Sequence, residues 1–134
     1  AGPVCARPAE GTCHRGLPDA AAIERRAVNR AEHLDEVNAS PRGVLDPTGP
    51  VERLATVLYE RTWFPADAQL RLSDDAGTYL CNNLLYVAIA QPVARAGFMH
   101  LPPQGRTVSE DYRGRWAPLV RILIESNLTS LAGR

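Results

Sequence analysis

Apolar residues recur at helical spacing in the segment that starts at Leu80. The inward positions of this predicted helix are Leu80, Leu84, Val87 and Ala88, a stripe that suits packing on a sheet. Residue types that cap helices precede it, namely Asp74, Asp75 and Thr78. Gly77 permits a tight turn at this point. The pattern therefore predicts a turn that feeds a helix.

Two segments on either side of that helix have the patterns of strands. In residues 67–73, Ala68, Leu70 and Leu72 alternate with polar neighbours, which is typical of a strand. Residues 95–101 predict a short buried strand that ends before Pro102 and carries His100 at its C-terminal end.

Two further helices are predicted by apolar spacing. The first covers residues 51–61, with inward positions Val51, Leu54, Ala55 and Leu58. The second closes the chain over residues 116–131 after a polar loop at 104–115. Its inward positions are Leu119, Ile122, Leu123 and Leu128, and Pro118 lies in its first turn. The alternation of strands and helices predicts an α/β fold with three αβα layers and a mainly parallel, mixed sheet.

Cys81 and His100 are the candidate chemical groups. A cysteine in the first turn of a helix faces unpaired N–H groups and the positive end of the helix dipole, which favour the nucleophilic thiolate. Catalytic residues gather at the carboxyl ends of strands in open α/β sheets, where His100 is expected. The two residues suit a Cys–His nucleophile pair. The alternatives are a small buried cysteine and a structural histidine at a strand end.

The strings AGTYLCNNLLY and AGFMHLPP, which contain Cys81 and His100, resemble the cysteine and histidine motifs of the pyroglutamyl peptidase I (pyrrolidone-carboxyl peptidase) family. Residues 23–29, IERRAVN, are similar to the glutamate-bearing strand of that family. These three residues also occur in the same order as in the family, first Glu24, then Cys81, then His100. The resemblance covers residues 19–128, about the C-terminal two-thirds of a family member, so the family's N-terminal strand is not expected here.

Residues 20–37 give two conflicting predictions. Their alanine, glutamate and arginine content favours a helix that Asp19 would cap. The resemblance instead implies a strand over residues 23–30 with Glu24 directed toward the cysteine. Because tertiary context overrides propensity, we expect the strand. The alternative for Glu24 is a solvated surface carboxylate.

The resemblance implies a cysteine peptidase that removes N-terminal pyroglutamyl residues from peptides without a metal or organic cofactor. Cys81 would be the nucleophile, His100 the proton carrier, and Glu24 the group that orients and stabilises the imidazolium. Two family features are missing. One is the aromatic, glycine-rich loop that clasps the pyroglutamyl ring, and the other is an arginine, at whose place this chain has Leu34, with His33 beside it and Arg30 nearby. Two alternatives therefore stay open, a relative that cleaves another amide and a non-catalytic scaffold or binding module. We expect that a missing N-terminal segment or a second chain completes the site.

Residues 1–18 are expected to be irregular, because glycine and proline occur throughout them. Residues 19–134 are expected to form the peptidase-like domain. Cys5 and Cys13 lie in the irregular segment, and His14 follows the second. Two free thiols and a local disulfide are both compatible with this spacing, whereas no common zinc pattern matches it. A disulfide would indicate secretion, while the resemblance implies a cytoplasmic protein.

Charge and hydropathy exclude other classes of function. The 134 residues carry fifteen basic and fifteen acidic side chains. This balance does not suggest a nucleic-acid partner. No apolar run is long enough to span a bilayer, so we expect no membrane partner.

Overall fold

The computed structural model describes residues 20–31, 43–103 and 108–132. In chain order their elements are β1 (Ala21–Glu24), β2 (Arg26–Val28), β3 (Glu52–Leu54), a 3₁₀ helix (Arg61–Trp63), β4 (Leu70–Ser73), α1 (Leu80–Ile89), β5 (Phe98–His100) and α2 (Glu110–Ala132). The predicted irregular segment 1–18, with Cys5 and Cys13, lies outside the described residues, and so do His33 and Leu34.

β1 is the central strand of a three-stranded sheet with the order β4-β1-β5. It runs parallel to β4 and antiparallel to β5, and Ile23 lies opposite both Leu72 and Met99. After Arg25 the chain continues into β2, which pairs with β3 in a separate antiparallel ribbon. The prediction of an α/β fold with a mixed sheet is confirmed.

Alternate residues of β1 face opposite sides of the sheet, and a different helix covers each side. Ile23 faces α2 and belongs to an apolar cluster of buried residues, which are Ala21, Ile23, Phe64, Trp116, Leu119 and Leu123. Phe98 packs on the α1 side against a second cluster, Ala27, Ala76, Leu85 and Tyr86. The two helices therefore sandwich the sheet, as the three-layer prediction required.

The helix predicted over residues 51–61 is wrong. The segment is extended: β3 pairs with β2, and residues 55–60 lead on to the 3₁₀ helix. The less exposed side chains alternate, and they are Arg53, Ala55, Val57 and Tyr59. Val51 is 82% exposed and Leu54 is 63% exposed, although both were expected to face inward. The leucines have the spacing of a helix. However, β3 pairs with a strand that is distant in sequence, so the side chains alternate between two faces with a period of two.

The strand predicted over residues 23–30 is confirmed as β1 and β2, which start two residues earlier and are separated at Arg25. The helical interpretation of residues 20–37 is wrong for the part that the structure describes. All five positions from Ala20 to Glu24 are buried. Because a helix would turn several of them toward solvent, burial in the sheet outweighs the helix propensity of alanine.

The helix predicted from Leu80 is confirmed as α1, but its predicted inward face is wrong. The buried residues are Asn82, Leu85 and Tyr86, whereas Leu84 is 62% exposed. The cause is polar: the Asn82 side chain hydrogen-bonds to the backbone of Val28 and so fixes which side of the helix faces β2.

The closing helix is confirmed as α2, which begins at Glu110, before the predicted start at Trp116. Pro118 therefore lies inside the helix rather than in its first turn, and the predicted polar loop 104–115 is wrong from residue 110. Leu119 and Leu123 are buried as expected, but Leu128 is exposed and Asn127 is buried instead.

The remaining two strand predictions are confirmed. β4 occupies the end of the predicted segment 67–73, and Ala68, Leu70 and Leu72 pack against the α2 cluster. β5 lies within the predicted segment 95–101 and ends at His100.

Candidate active site

Cys81 is the second residue of α1, which places it in the first turn of that helix. The helix is entered from β4 through a turn in which Asp75 Oδ1 accepts a hydrogen bond of 2.8 Å from the Gly77 N–H. Gly77 has a φ of +81°, a left-handed conformation that favours glycine. The space around its Cα is open, so its backbone angle, and not a close approach, requires glycine here. The N-cap is Tyr79 rather than the predicted cap-type residues.

Glu24 and His100 form a buried pair. Nδ1 of His100 lies 2.8 Å from Oε1 of Glu24, and the side chains are 6% and 2% exposed. The contact follows from the register of β1 and β5, in which Glu24 lies opposite Phe98 and His100 lies opposite Ala22. Glu24 and His100 are thus diagonal neighbours on one face of the sheet.

The expected location of His100, at the carboxyl edge of a parallel sheet, is wrong. β5 is antiparallel to β1, so the C-terminal ends of the two strands point in opposite directions. The diagonal register, and not a shared edge, brings the carboxylate and the imidazole together. Phe98 supports the arrangement, because its ring meets the His100 ring edge-on with 4.9 Å between centroids.

His100 also interacts with Cys81, and the two partners determine its charge. Burial lowers the pKa of His100, but hydrogen bonding to Cys81 and to Glu24, with the charges of both groups, raises that pKa from 6.5 to about 9. The imidazole is therefore protonated at neutral pH. Since Nδ1 is engaged by Glu24, Nε2 is the ring nitrogen left for Cys81. The structure brings together all three residues that the sequence singled out.

Asn82 is a residue of this region that the sequence argument missed. It follows Cys81, is 1% exposed, and uses its side-chain amide to bind the backbone of β2. The available signal was an amide residue in the first turn of a helix that was otherwise expected to bury apolar residues. Arg30, which lies near the family's arginine position, is exposed, and its carbonyl is 3.4 Å from Asn82 Nδ2.

A cavity of about 710 Å³ lies on the other side of the sheet, between β5 and α2. Its lining is mostly apolar and includes Met99, Leu123 and Ile124. Met99 packs against the α2 cluster, so this cavity lies on the opposite face of the sheet from Glu24 and His100. The described ranges contain no group of three or more His, Cys, Asp or Glu side chains placed to hold a metal ion. In the same ranges, no helix has the length and apolar character needed to cross a membrane.

Curated relatives share the names expected from the motifs. Human pyroglutamyl-peptidase 1 is 37% identical over 65 residues, which are 48% of this chain and 30% of the relative. Pyrrolidone-carboxylate peptidase of Chromobacterium violaceum is 33% identical over 98 residues, which are 65% of this chain and 44% of the relative. The matches thus span less than half the length of these relatives. No protein-family model matches the chain.

Solved structures of pyrrolidone carboxyl peptidases have the same fold. The enzyme from Thermococcus litoralis matches 86% of this chain and 62% of its own with a TM-score of 0.70 and 20% identity. The enzyme from Thermus thermophilus matches 80% of this chain and 62% of its own chain, with a TM-score of 0.64 and 28% identity. The α/β fold of these peptidases and the sequence resemblance to them are therefore confirmed.

Proposed function

We propose that this chain carries the catalytic centre of a cysteine peptidase that removes N-terminal pyroglutamyl residues from peptides, with Glu24, Cys81 and His100 as its catalytic residues. One observation carries the proposal: a buried carboxylate–imidazole pair, 2.8 Å between Oε1 and Nδ1, interacts with a cysteine at the start of a helix. The names of the relatives supply the substrate class.

The acylation half of the reaction follows from these three groups. The Cys81 thiolate attacks the carbonyl carbon of the pyroglutamyl residue and forms a tetrahedral oxyanion. The backbone N–H of Cys81, in the first turn of α1, is oriented to donate to such an oxyanion. When the C–N bond breaks, the His100 imidazolium gives its Nε2 proton to the departing amine. A thioester on Cys81 and a shortened peptide result.

Deacylation returns the site to its starting state. The imidazole of His100, now neutral, takes a proton from water as the water oxygen attacks the thioester carbonyl. Collapse of the second tetrahedral intermediate expels the Cys81 thiolate and releases pyroglutamate. Glu24 accepts the Nδ1–H hydrogen bond throughout, which keeps Nε2 directed at the reacting atoms and stabilises the imidazolium. Water is the second substrate, so the reaction consumes neither a cofactor nor a metal ion.

The substrate pocket is the second part of the proposal. The aromatic, glycine-rich loop expected to clasp the pyroglutamyl ring does not occur in the 134 residues, and the cavity at β5 and α2 faces away from Cys81. We propose that another polypeptide, either an N-terminal segment or a second chain, completes the pocket. The second candidate function is that of a relative with the same three residues that cleaves a different amide.

The test is hydrolysis of a fluorogenic pyroglutamyl amide by this chain, by an upstream-extended chain, and by Cys81→Ala versions of both. We expect activity that needs Cys81 and the upstream segment. Hydrolysis by the extended chain that survives Cys81→Ala would refute the catalytic assignment. Full activity of the short chain as a monomer would refute the need for another polypeptide. Hydrolysis of other N-terminal amides but not of the pyroglutamyl amide would favour the second candidate.

A further inference from the structure

Asn82 links the helix that carries Cys81 to the strand that follows Glu24. Its Oδ1 accepts a hydrogen bond of 2.8 Å from the Val28 N–H. Its Nδ2 donates to the Val28 carbonyl at 2.9 Å and to the Arg30 carbonyl at 3.4 Å. The side chain is 1% exposed, so these bonds form in a place that excludes water.

The backbone of β2 explains why an amide is needed at this position. The two residues that flank β2, Arg25 and Asn29, direct backbone polar groups toward β3. The Ala55 N–H donates to the Arg25 carbonyl, and the Asn29 N–H donates to the Val51 carbonyl, both at 2.8 Å. Because successive residues of a strand alternate, the N–H and C=O of Val28 point the other way, toward α1. A side-chain amide has one acceptor and one donor group, which match these two groups.

The hydrogen bonds of Asn82 give a second connection between Glu24 and Cys81, besides the one through His100. Glu24 binds His100, and His100 interacts with Cys81. Val28 lies four residues after Glu24 in the same extended stretch (28 − 24), and Asn82 follows Cys81 directly. The position of the cysteine relative to Glu24 is therefore fixed through the Asn82–Val28 hydrogen bonds, independently of the histidine.

On the basis of the proposed function, we infer that Asn82 is a positioning residue for the nucleophile. It holds the first turn of α1 so that Sγ of Cys81 stays within reach of the His100 imidazolium. Without the two bonds to Val28, the turn can shift on β2, and the thiolate loses the fixed positive charge that favours it. Precise placement matters because small displacements of reacting groups cost large factors in rate.

Asn127 provides a matched control in the same molecule. Its Oδ1 accepts a hydrogen bond of 2.8 Å from the Leu58 N–H, and its Nδ2 donates to the Leu58 carbonyl at 3.1 Å. It is 6% exposed and lies on α2, on the other side of the sheet from Cys81. Replacing Asn127 removes the same kind of bond, from a helix side chain to the backbone of an extended segment, without touching the site.

The experiment measures the rate at which iodoacetamide alkylates Cys81, as a function of pH and with peptide mapping, in the wild type, Asn82→Ala and Asn127→Ala. We expect Asn82→Ala to slow alkylation at neutral pH by at least about tenfold and to move the profile to higher pH. Asn127→Ala is expected to stay within about twofold of the wild type, since its helix is remote from the thiol. If Asn82→Ala does not fold, Asn82→Asp keeps the acceptor for the Val28 N–H, and the same slowing is expected.

Two results would overturn the inference. One is that the Asn82 variants keep the wild-type alkylation rate and pH profile of Cys81. The other is that Asn127→Ala slows the alkylation of Cys81 as much as Asn82→Ala does. The wild-type measurement separates this failure from failure of the proposed function. If Cys81 in the wild type reacts no faster than Cys5 or Cys13, the catalytic assignment fails. If wild-type Cys81 is reactive and Asn82→Ala is equally reactive, the positioning role fails and the catalytic assignment stands.

Discussion

The two faces of the three-stranded sheet use the same strand for different purposes. Toward α2, Ile23 joins Trp116 and Leu123 in an apolar cluster that excludes water. Toward α1, the next residue, Glu24, is a buried carboxylate bound to His100. Burial of apolar groups stabilises the fold, whereas burial of a charged pair costs desolvation energy that its hydrogen bonds only partly offset.

The face toward α1 also includes a buried polar atom that lowers the stability of the fold. Glu24 Oε2 is buried, and within the described ranges it makes no hydrogen bond. A buried acceptor of this kind is unfavourable, by about 1–3 kcal/mol in typical proteins. The α2 face therefore supplies the stability with which the α1 face can hold reactive groups. Substitutions should therefore separate the two: changes on one face should affect activity, and changes on the other should affect stability.

The largest expected effect is loss of turnover on the α1 face. Cys81→Ser should reduce hydrolysis of a pyroglutamyl amide at least about 10⁴-fold, because the hydroxyl is a much weaker nucleophile at this site. It should leave the melting temperature nearly unchanged, since the two side chains have similar sizes. The measurement is turnover and thermal unfolding, made in the preparation that hydrolyses the substrate. A variant that retains turnover would remove Cys81 from the mechanism.

The α2 face should show the opposite separation. Leu123→Ala leaves a cavity in the apolar cluster and should lower the free energy of unfolding by about 2–5 kcal/mol. Turnover per folded molecule should not change. The control is Ile124→Ala on the same helix, which removes a 54% exposed side chain and should change stability by about 0.5 kcal/mol or less. Equal losses from the two substitutions in urea titrations would contradict the location of this cluster.

Glu24→Gln tests the carboxylate within the polar face. The amide can hold the imidazole ring but cannot offset its charge, so turnover should fall on the order of 10²-fold. The fold should be preserved, because glutamine has nearly the same volume. Glu52→Gln changes an exposed carboxylate that pairs with Arg26 and serves as the control. If both variants keep wild-type turnover, Glu24 has no part in catalysis.

The last prediction on this comparison is a pH dependence of stability that the apolar face lacks. The folded pKa of His100 is about 9, above its usual 6.5. Its contribution to stability is therefore fully present below about pH 6.5 and is lost as the pH rises through 9. Urea titrations between pH 6.5 and 9 should show that the free energy of unfolding falls in the wild type and falls less in Glu24→Gln. Leu123→Ala should give a curve parallel to the wild type; a flat wild-type curve would contradict the raised pKa.

The sequence predicted which side chains lie together better than it predicted the elements around them. Cys81, His100 and Glu24 lie in short strings that carry their own signal, and the structure brings all three together. The extended segment at 51–61 was missed because its partner, β2, is distant in sequence, and leucines at helical spacing concealed the period of two. Local patterns contain little information about such nonlocal pairing.

Asn82 was missed for a related reason. Its partners are the backbone groups of Val28, and their direction depends on the register of β2 against β3. An asparagine in a helix is usually a surface residue, and its place in the first turn does not by itself show that it is buried. The inward face of α1 was wrong for the same reason, because the polar contact of Asn82 sets the rotation of the helix.

The central claim is that Glu24, His100 and Cys81 form one coupled group in which the imidazole is charged at neutral pH. NMR titration of His100 measures this directly, with its signal assigned by loss in His100→Asn. We predict a pKa of about 9 in the wild type and a lower pKa, nearer to 6.5, in both Cys81→Ala and Glu24→Gln, because each substitution removes one partner that raises it. A wild-type pKa near 6.5 that neither substitution changes would contradict the claim.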